Sequence, residues 1–211
     1  MKLYNANFSP NCLRVRAVAL ELGIDLEIVD VNVMGGENKS DEFLALNANA
    51  KVPILVDGDF VLWESRAITG YLSSLRPDHG LYPEDGKARA VVDQWSYWQT
   101  VHLGPAMQKV AFERFMKKKF GMGESDEDVI TAQMKDVCQF LDVLEKNIAG
   151  KDWVAGDLSV ADFAVASTFM FRKQADISLE TTPHVTMWIE RLEARKSWQA
   201  AIEPLMAMMS N

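Results

Sequence analysis

Ser9-Pro10-Asn11-Cys12 stands where a short strand candidate, Lys2-Leu3-Tyr4, gives way to a helical pattern, and no other stretch is better equipped for chemistry. The N–H groups at a helix N-terminus point outward unpaired and carry the positive end of the helix dipole. A hydroxyl, amide or thiol at such a junction sits where an anion is stabilised. Three readings stay open from the residues alone. Ser9 or Asn11 caps the helix; Ser9 donates a hydrogen bond to a bound thiolate; or Cys12 is itself a nucleophile of low pKa. With Pro10 at or near the first helical position, Cys12 falls in the first turn, and a buried structural cysteine is the role this position favours.

Three further stretches carry polar chemistry. In Lys51-Val52-Pro53, a proline between turn and strand could hold a cis bond. That would leave backbone N–H and C=O groups free to pair with an extended peptide ligand, although proline is equally at home at the start of an ordinary strand. In Trp63-Glu64-Ser65-Arg66-Ala67-Ile68, Ser65 can cap the next helix with Glu64 just outside it. Glu64 then either complements the helix dipole or grips the α-ammonium of a ligand whose carboxylate the N–H groups hold. In Leu158-Ser159-Val160-Ala161-Asp162, Ser159 and Asp162 have capping-box spacing, and their role is structural.

The elements that must position these residues differ between the two parts of the chain. Val15, Val18, Ala19 and Leu22 recur at helical spacing and stop at Gly23. Leu26–Val31 is rich in β-branched residues and reads as a strand. A short helix is expected over Ser40–Leu46. Val52–Val56 and Phe60–Trp63 flank Asp57-Gly58-Asp59 as a hairpin, and Ser65–Leu75 returns to helical period. The order is β-α-β-α-β-β-α over residues 1–76, an α/β domain. A Pro- and Gly-containing linker follows over 77–85. Residues 86–211 read as an all-α domain, with helices expected over Gly86–Lys119, Asp126–Ala149, Ser159–Arg172, Pro183–Arg195 and Trp198–Glu203, the last interrupted by Pro204.

Composition narrows the function class. The 211 residues carry 30 acidic and 22 basic side chains, net −8. The acidity is even, with 7 basic and 11 acidic residues up to Gly80, 15 and 19 after it. Neither half is basic enough to condense on phosphates, so nucleic acid is not an expected partner. Two cysteines make no disulfide framework and point to a reducing compartment. No apolar run approaches the roughly 18–20 residues of a membrane span, and the N-terminal stretch lacks a signal-peptide apolar region. His79, His102 and His184 lack metal-ligand spacing. The expectation is a cytoplasmic globular protein with no metal.

Six stretches taken in order resemble the cytosolic glutathione transferase superfamily along the whole chain. They are Ser9–Val15, Phe43–Ala48, Lys51–Leu55, Trp63–Ile68, Leu81-Tyr82-Pro83 and Ser159–Asp162. The resemblance runs to the serine-type theta, delta and phi classes, or a bacterial relative of them. It implies a thioredoxin-like N-terminal domain that binds glutathione and a helical domain that shapes the second substrate's pocket. By the resemblance, Ser9 hydrogen-bonds the glutathione sulfur, and the backbone of Val52, before a cis Pro53, pairs with the cysteinyl group. Glu64 and Ser65 hold the γ-glutamyl ammonium and carboxylate. Lys51 lies near the glycyl carboxylate, Arg66 adds to the anion site, and Asn11 is a second candidate thiolate donor. Ala50 stands where delta-like sequences carry a histidine, and Ser9 where a glutaredoxin-like CxxC has its first cysteine.

The implied function is conjugation of the glutathione thiolate to a small hydrophobic electrophile. Glutathione is then a co-substrate, no cofactor is needed, and a homodimer is expected. Phe8, Phe112, Phe115 and Met116, with the Met-rich tail, are the expected electrophile wall; helical spacing alone also makes such stripes part of a core. A glutathione-dependent disulfide or peroxide reductase and a non-catalytic binding protein of the same fold are the rival readings.

Overall fold

The computed structural model describes residues 1–210, and side chains through residue 209. The chain forms two compact units, one of Met1–Tyr82 together with the segment from Glu193 onward, the other of Pro83–Leu192.

In the first unit the order is β1 (Lys2–Asn5), α1 (Pro10–Glu21), β2 (Glu27–Asp30), α2 (Asp41–Leu46), β3 (Ile54–Asp57), β4 (Phe60–Trp63) and α3 (Ser65–Ser74). The sheet runs β2-β1-β3-β4. β1 is parallel to β2, as an intervening helix requires, and antiparallel to β3. The β3–β4 pair is the expected hairpin, turning through Gly58 at φ 60°, a conformation that favours glycine. Alternation along the strands supplies two faces. Tyr4, Ile54 and Val56 pack with Val31, Phe43 and Leu46 on one. Leu3 and Leu55, fully buried, point to the other.

The last helix, α10 (Lys196–Ser210), also belongs to this unit. The expected boundary after residue 85 assigned everything from residue 86 on to the helical part; the structure instead groups α10 with the sheet, because it packs along α1. The helix continues through Pro204, which the sequence reading expected to interrupt it. Proline there removes one ladder donor, and in the same region the Arg16 guanidinium brings two N–H groups to the Ala201 carbonyl.

With α3 and α10 both against it, α1 is buried on every side from Cys12 to Ala19, two arginines included. At its C-terminal end Glu21 accepts hydrogen bonds from Arg195 and Ser197. Burial raises the Glu21 carboxyl, but these two partners outweigh it and hold its pKa below the ordinary carboxylate value. The tie is therefore present above about pH 4.3 and is lost as pH falls through the depressed pKa.

The second unit is helical. One continuous run comprises α4 (Gly86–Trp98), α5 (Gly104–Ala111) and α6 (Lys117–Phe120), joined by π-helical turns at Gln99–Leu103 and Phe112–Met116. The first widening precedes Pro105, whose missing N–H and bulk disturb a regular α-ladder. α7 (Glu127–Ile148), α8 (Val160–Ala166) and α9 (Pro183–Glu193) follow. The helix expected over Ser159–Arg172 is regular only to Ala166 and tightens to a 3-10 turn at Ser167–Phe169. No helix among the described residues is long and apolar enough to cross a membrane.

Candidate active site

Strand register gathers the candidate residues of the first unit. Tyr4 pairs with Ile54, and Ile54 with Trp63. The chain leaving β1 toward Ser9, the Lys51–Pro53 segment entering β3, and Glu64-Ser65 leaving β4 therefore emerge at one end of the sheet. α1 and α3 both start there and pack on each other, so two helix N-termini point their N–H groups and dipoles toward one region.

Ser9 is the N-cap of α1, in extended conformation, with Oγ accepting the Cys12 N–H at 3.3 Å. Capping uses an oxygen lone pair and leaves the hydroxyl proton to donate to a sulfur, either that of the neighbouring Cys12 or that of a bound thiolate. The capping and thiolate-binding readings are thus compatible. Cys12 is fully buried, and its Sγ accepts the Ala6 N–H at 3.4 Å. Burial pushes its thiol pKa up, against smaller lowering by Ser9 and the Ala6 N–H. Full burial fits the structural role that its position in the first turn favours. Cys12→Ala is expected to retain turnover and to lose roughly 1–2 kcal/mol of stability from the vacated volume, measured by urea unfolding.

At α3 the structure revises the capping assignment. Glu64, not Ser65, occupies the N-cap position; its side chain makes no capping bond, and Ser65 is the first helical residue. Glu64 is held at φ 71°, a left-handed conformation that disfavours a side chain and is met where the surroundings impose it, often at functional sites. Ser65 is buried, donates to Asn11 Oδ1 at 3.5 Å and accepts from Arg14 Nη1 at 3.4 Å. Asn11, Arg14 and Ser65 thus join the two helix starts.

Arg14 is a residue that motif reading passed over. Burial first, and then the nearby Arg66 charge, push its pKa well below that of a free guanidinium, with Cys12 and Glu64 acting in the opposite direction. A guanidinium remains charged even so. It places fixed positive charge beneath the α3 N-terminus, beside Glu64 and Arg66. The available signal was Cys12-Leu13-Arg14-Val15-Arg16-Ala17, two arginines inside an otherwise apolar helical run.

Two asparagines set the third segment. Asn38 Nδ2 donates to the Ala50 carbonyl at 2.7 Å, and Asn47 Nδ2 to the Lys51 carbonyl at 2.8 Å. Asn47 Oδ1 also accepts from the Asn49 backbone and side chain. Between them Ala50 takes φ 54°. The Val52–Pro53 bond is cis, and β3 begins only at Ile54, two residues later than expected. Lys51 is exposed, Val52 half-buried and Pro53 buried. Asn47→Ala is expected to free the Lys51–Val52 segment. Losing a hydrogen bond worth about 1 kcal/mol should weaken a ligand bound there roughly fivefold, read as a higher glutathione KM at nearly unchanged kcat.

The expected electrophile wall is divided between the units. Phe8 is half-buried in the loop before α1. Phe112, Phe115 and Met116 share one π turn of the second unit, a kind of irregularity common at functional sites. Phe112 is exposed, while Phe115 stacks on Phe171 at 5.2 Å.

Comparison with known proteins places the chain in a family. Residues 1–74 match the model of the glutathione S-transferase N-terminal domain, and residues 103–196 that of the C-terminal domain. A glutathione S-transferase of Hyoscyamus muticus is 32% identical over 96% of this chain and 98% of its own length. Glutathione S-transferase D7 of Drosophila melanogaster is 32% identical over 97% and 90%. Among solved structures, glutathione S-transferase I from maize in complex with an atrazine glutathione conjugate superposes with TM-score 0.86, at 32% identity, over 96% of this chain and 98% of that one. With both domain models matched in order and relatives of this identity aligned nearly end to end, the chain belongs to the glutathione S-transferase family.

Proposed function

We propose that this protein conjugates the glutathione thiolate to hydrophobic electrophiles by a serine-type mechanism. The observation that carries the reading is the convergence of Ser9, the Lys51–Pro53 segment and Glu64-Ser65 at one sheet end, under two helix N-termini. The Ser9 hydroxyl donates to the glutathione sulfur. Val52 offers its backbone to the cysteinyl group. Glu64 takes the γ-glutamyl ammonium, while Ser65 and the α3 N–H groups take the carboxylate; Arg14 and Arg66 add positive charge there, and Lys51 faces the glycyl end. The related maize structure with its atrazine glutathione conjugate supports the same ligand class.

Magnitudes limit what ionisation alone achieves. A hydrogen bond to a charged acceptor is worth about 1.5–3 kcal/mol, or about one to two pKa units. From a free thiol near pKa ~8.5 this raises the thiolate fraction at neutral pH by about tenfold to thirtyfold. Further acceleration comes from holding the electrophile against the sulfur, the task assigned to Phe8, Phe112, Phe115, Met116 and the Met-rich end of α10. Turnover needs no metal or other cofactor in this scheme, and the protein works in the cytoplasm. A homodimer completes the reading; the exposed Tyr97 and Val101 on the long helical run support such an interface, and light scattering after size exclusion measures it.

The test is turnover of a panel of aryl halides, a mixed disulfide and a hydroperoxide with glutathione. Conjugation of aryl halides with little disulfide reduction is expected. Reduction without conjugation selects the reductase reading, with Asn11 as its thiolate donor. Retention on immobilised glutathione without any turnover selects a binding protein.

A further inference from the structure

Cys12 and Arg16 lie one turn apart on one face of α1, and both reach the loop that carries Phe8 and Ser9. Cys12 Sγ holds the Ala6 N–H. Arg16 Nη1 donates to Asn7 Oδ1 at 3.1 Å and to Asn5 Oδ1. Asn5 Nδ2 donates in turn to Asn7 Oδ1 at 3.0 Å and to Asp30 Oδ1 at 2.6 Å. The Ser9 N–H closes the loop on the Ala6 carbonyl at 3.0 Å. The other edge of the same guanidinium, Nε and Nη2, donates to the Ala201 carbonyl of α10 at 3.2 and 2.8 Å. One buried cation thus joins the loop before Ser9 to a helix 185 residues away in sequence.

Packing alone does not call for this arrangement. A buried charge carries a desolvation penalty that an apolar side chain of similar volume avoids. The hydrogen bonds of Arg16 go to neutral oxygens, and Asp30 is reached only through Asn5. What a planar five-donor fork supplies is geometry: two oxygens on one side and one on the other, held at fixed separation. The α10 anchor is itself firm. Trp198, Ala201 and Leu205 are buried, and the start of the helix is tied to Glu21 by Arg195 and Ser197.

Resting on the proposed thiolate mechanism, we propose that Arg16 is a positioning residue for Ser9: it grips Asn7, is anchored on the Ala201 carbonyl of α10, and thereby fixes the loop that aims the Ser9 hydroxyl at the glutathione sulfur. Asn7 is the contact on the loop, and α10 becomes part of the thiolate-activating apparatus without touching the ligand.

The experiment uses the full chain with glutathione. It reads the thiolate absorbance of the bound tripeptide against pH, the glutathione KM and thermal unfolding. Asn7→Ala removes the grip and leaves Arg16 on Asn5 and Ala201. It is expected to raise the bound thiol's pKa by about half to one unit and to lower kcat near neutral pH roughly threefold to tenfold, with recovery at high pH. KM should stay within about twofold, since Lys51, Val52, Glu64 and Ser65 are untouched. Arg16→Lys keeps the charge without the fork and should reproduce the shift; if it fails to fold, Asn7→Ala carries the test alone. In a Ser9→Ala background Asn7→Ala should add no further shift, because its effect passes through that hydroxyl. A folded Asn7→Ala protein with an unchanged thiol pKa, or a shift that persists in the Ser9→Ala background, overturns the positioning role while the thiolate mechanism stands. A wild-type complex with no lowered thiol pKa overturns both.

Discussion

Ser9→Ala is expected to raise the pKa of the bound glutathione thiol by about one to two units and to cut turnover near pH 7 by roughly tenfold to thirtyfold. The sign follows from the reactive species. The thiolate attacks, so a higher pKa lowers its fraction at neutral pH, and the rate recovers as pH is raised past the new value. Ultraviolet titration of the complex and a pH–rate profile measure the two effects independently. Because Ser9 also caps α1, alanine should remove about 1 kcal/mol of stability, whereas glycine, tolerated at an N-cap, should remove only a few tenths. Ser9→Gly and Ser9→Ala should therefore match in thiol pKa and differ in unfolding free energy. An unchanged thiol pKa in both variants would transfer the role to Asn11, and loss of turnover in Cys12→Ala would transfer it to the cysteine.

Asp162→Ala should have the largest effect on folding. The carboxylate is fully buried and accepts four hydrogen bonds: from the Val154 N–H at 2.9 Å, Trp188 Nε1 at 3.0 Å, the Ser159 N–H at 2.9 Å and Ser159 Oγ at 3.1 Å. It closes a capping box at the start of α8 and ties it to the preceding loop and to α9. Each buried donor left unpaired costs about 1–3 kcal/mol, so the variant should lose several kcal/mol, a large share of the total stability of a typical domain. Low soluble yield and a much lower urea midpoint are the expected readouts.

The same residue has a pH signature. Burial outweighs its four donors and pushes the Asp162 pKa up to about 6 from an ordinary 3.8. A carboxyl whose folded pKa is raised contributes stability that is fully present below the unfolded value and is lost as pH rises through the folded one. The stability difference between the wild-type protein and Asp162→Asn, which does not titrate, should therefore fall as pH rises from about 4 to about 6 and level off above. A difference that is flat over that window, measured by urea unfolding, would contradict the raised pKa.

The parts of this molecule that the sequence made legible are those whose chemistry is local. Capping spacing located the Ser159–Asp162 box, Asp57-Gly58-Asp59 the hairpin turn, and Gly23 the end of α1, because backbone conformation and short-range hydrogen bonds settle such features within a few residues. Even there the register slipped. Ser65 read as an N-cap, but Glu64 takes that position at positive φ, a backbone strain that the surroundings impose and residue type does not announce. Pro204 read as a helix break, yet α10 runs through it while packed along α1.

By itself, then, the sequence determined the β-α-β-α-β-β-α order, the helical remainder, and the short motifs whose residue types suit a thiolate, a peptide backbone and an amino-acid head group. Only the tertiary structure decided that those motifs share one end of the sheet, through the Tyr4–Ile54–Trp63 register. It also decided that Arg14 and Arg16 are buried, on a helix packed against α3 and α10. The physical reason is one of range: caps and turns are settled by neighbours a few residues apart, whereas the burial of α1 depends on a helix that returns to it from 185 residues along the chain.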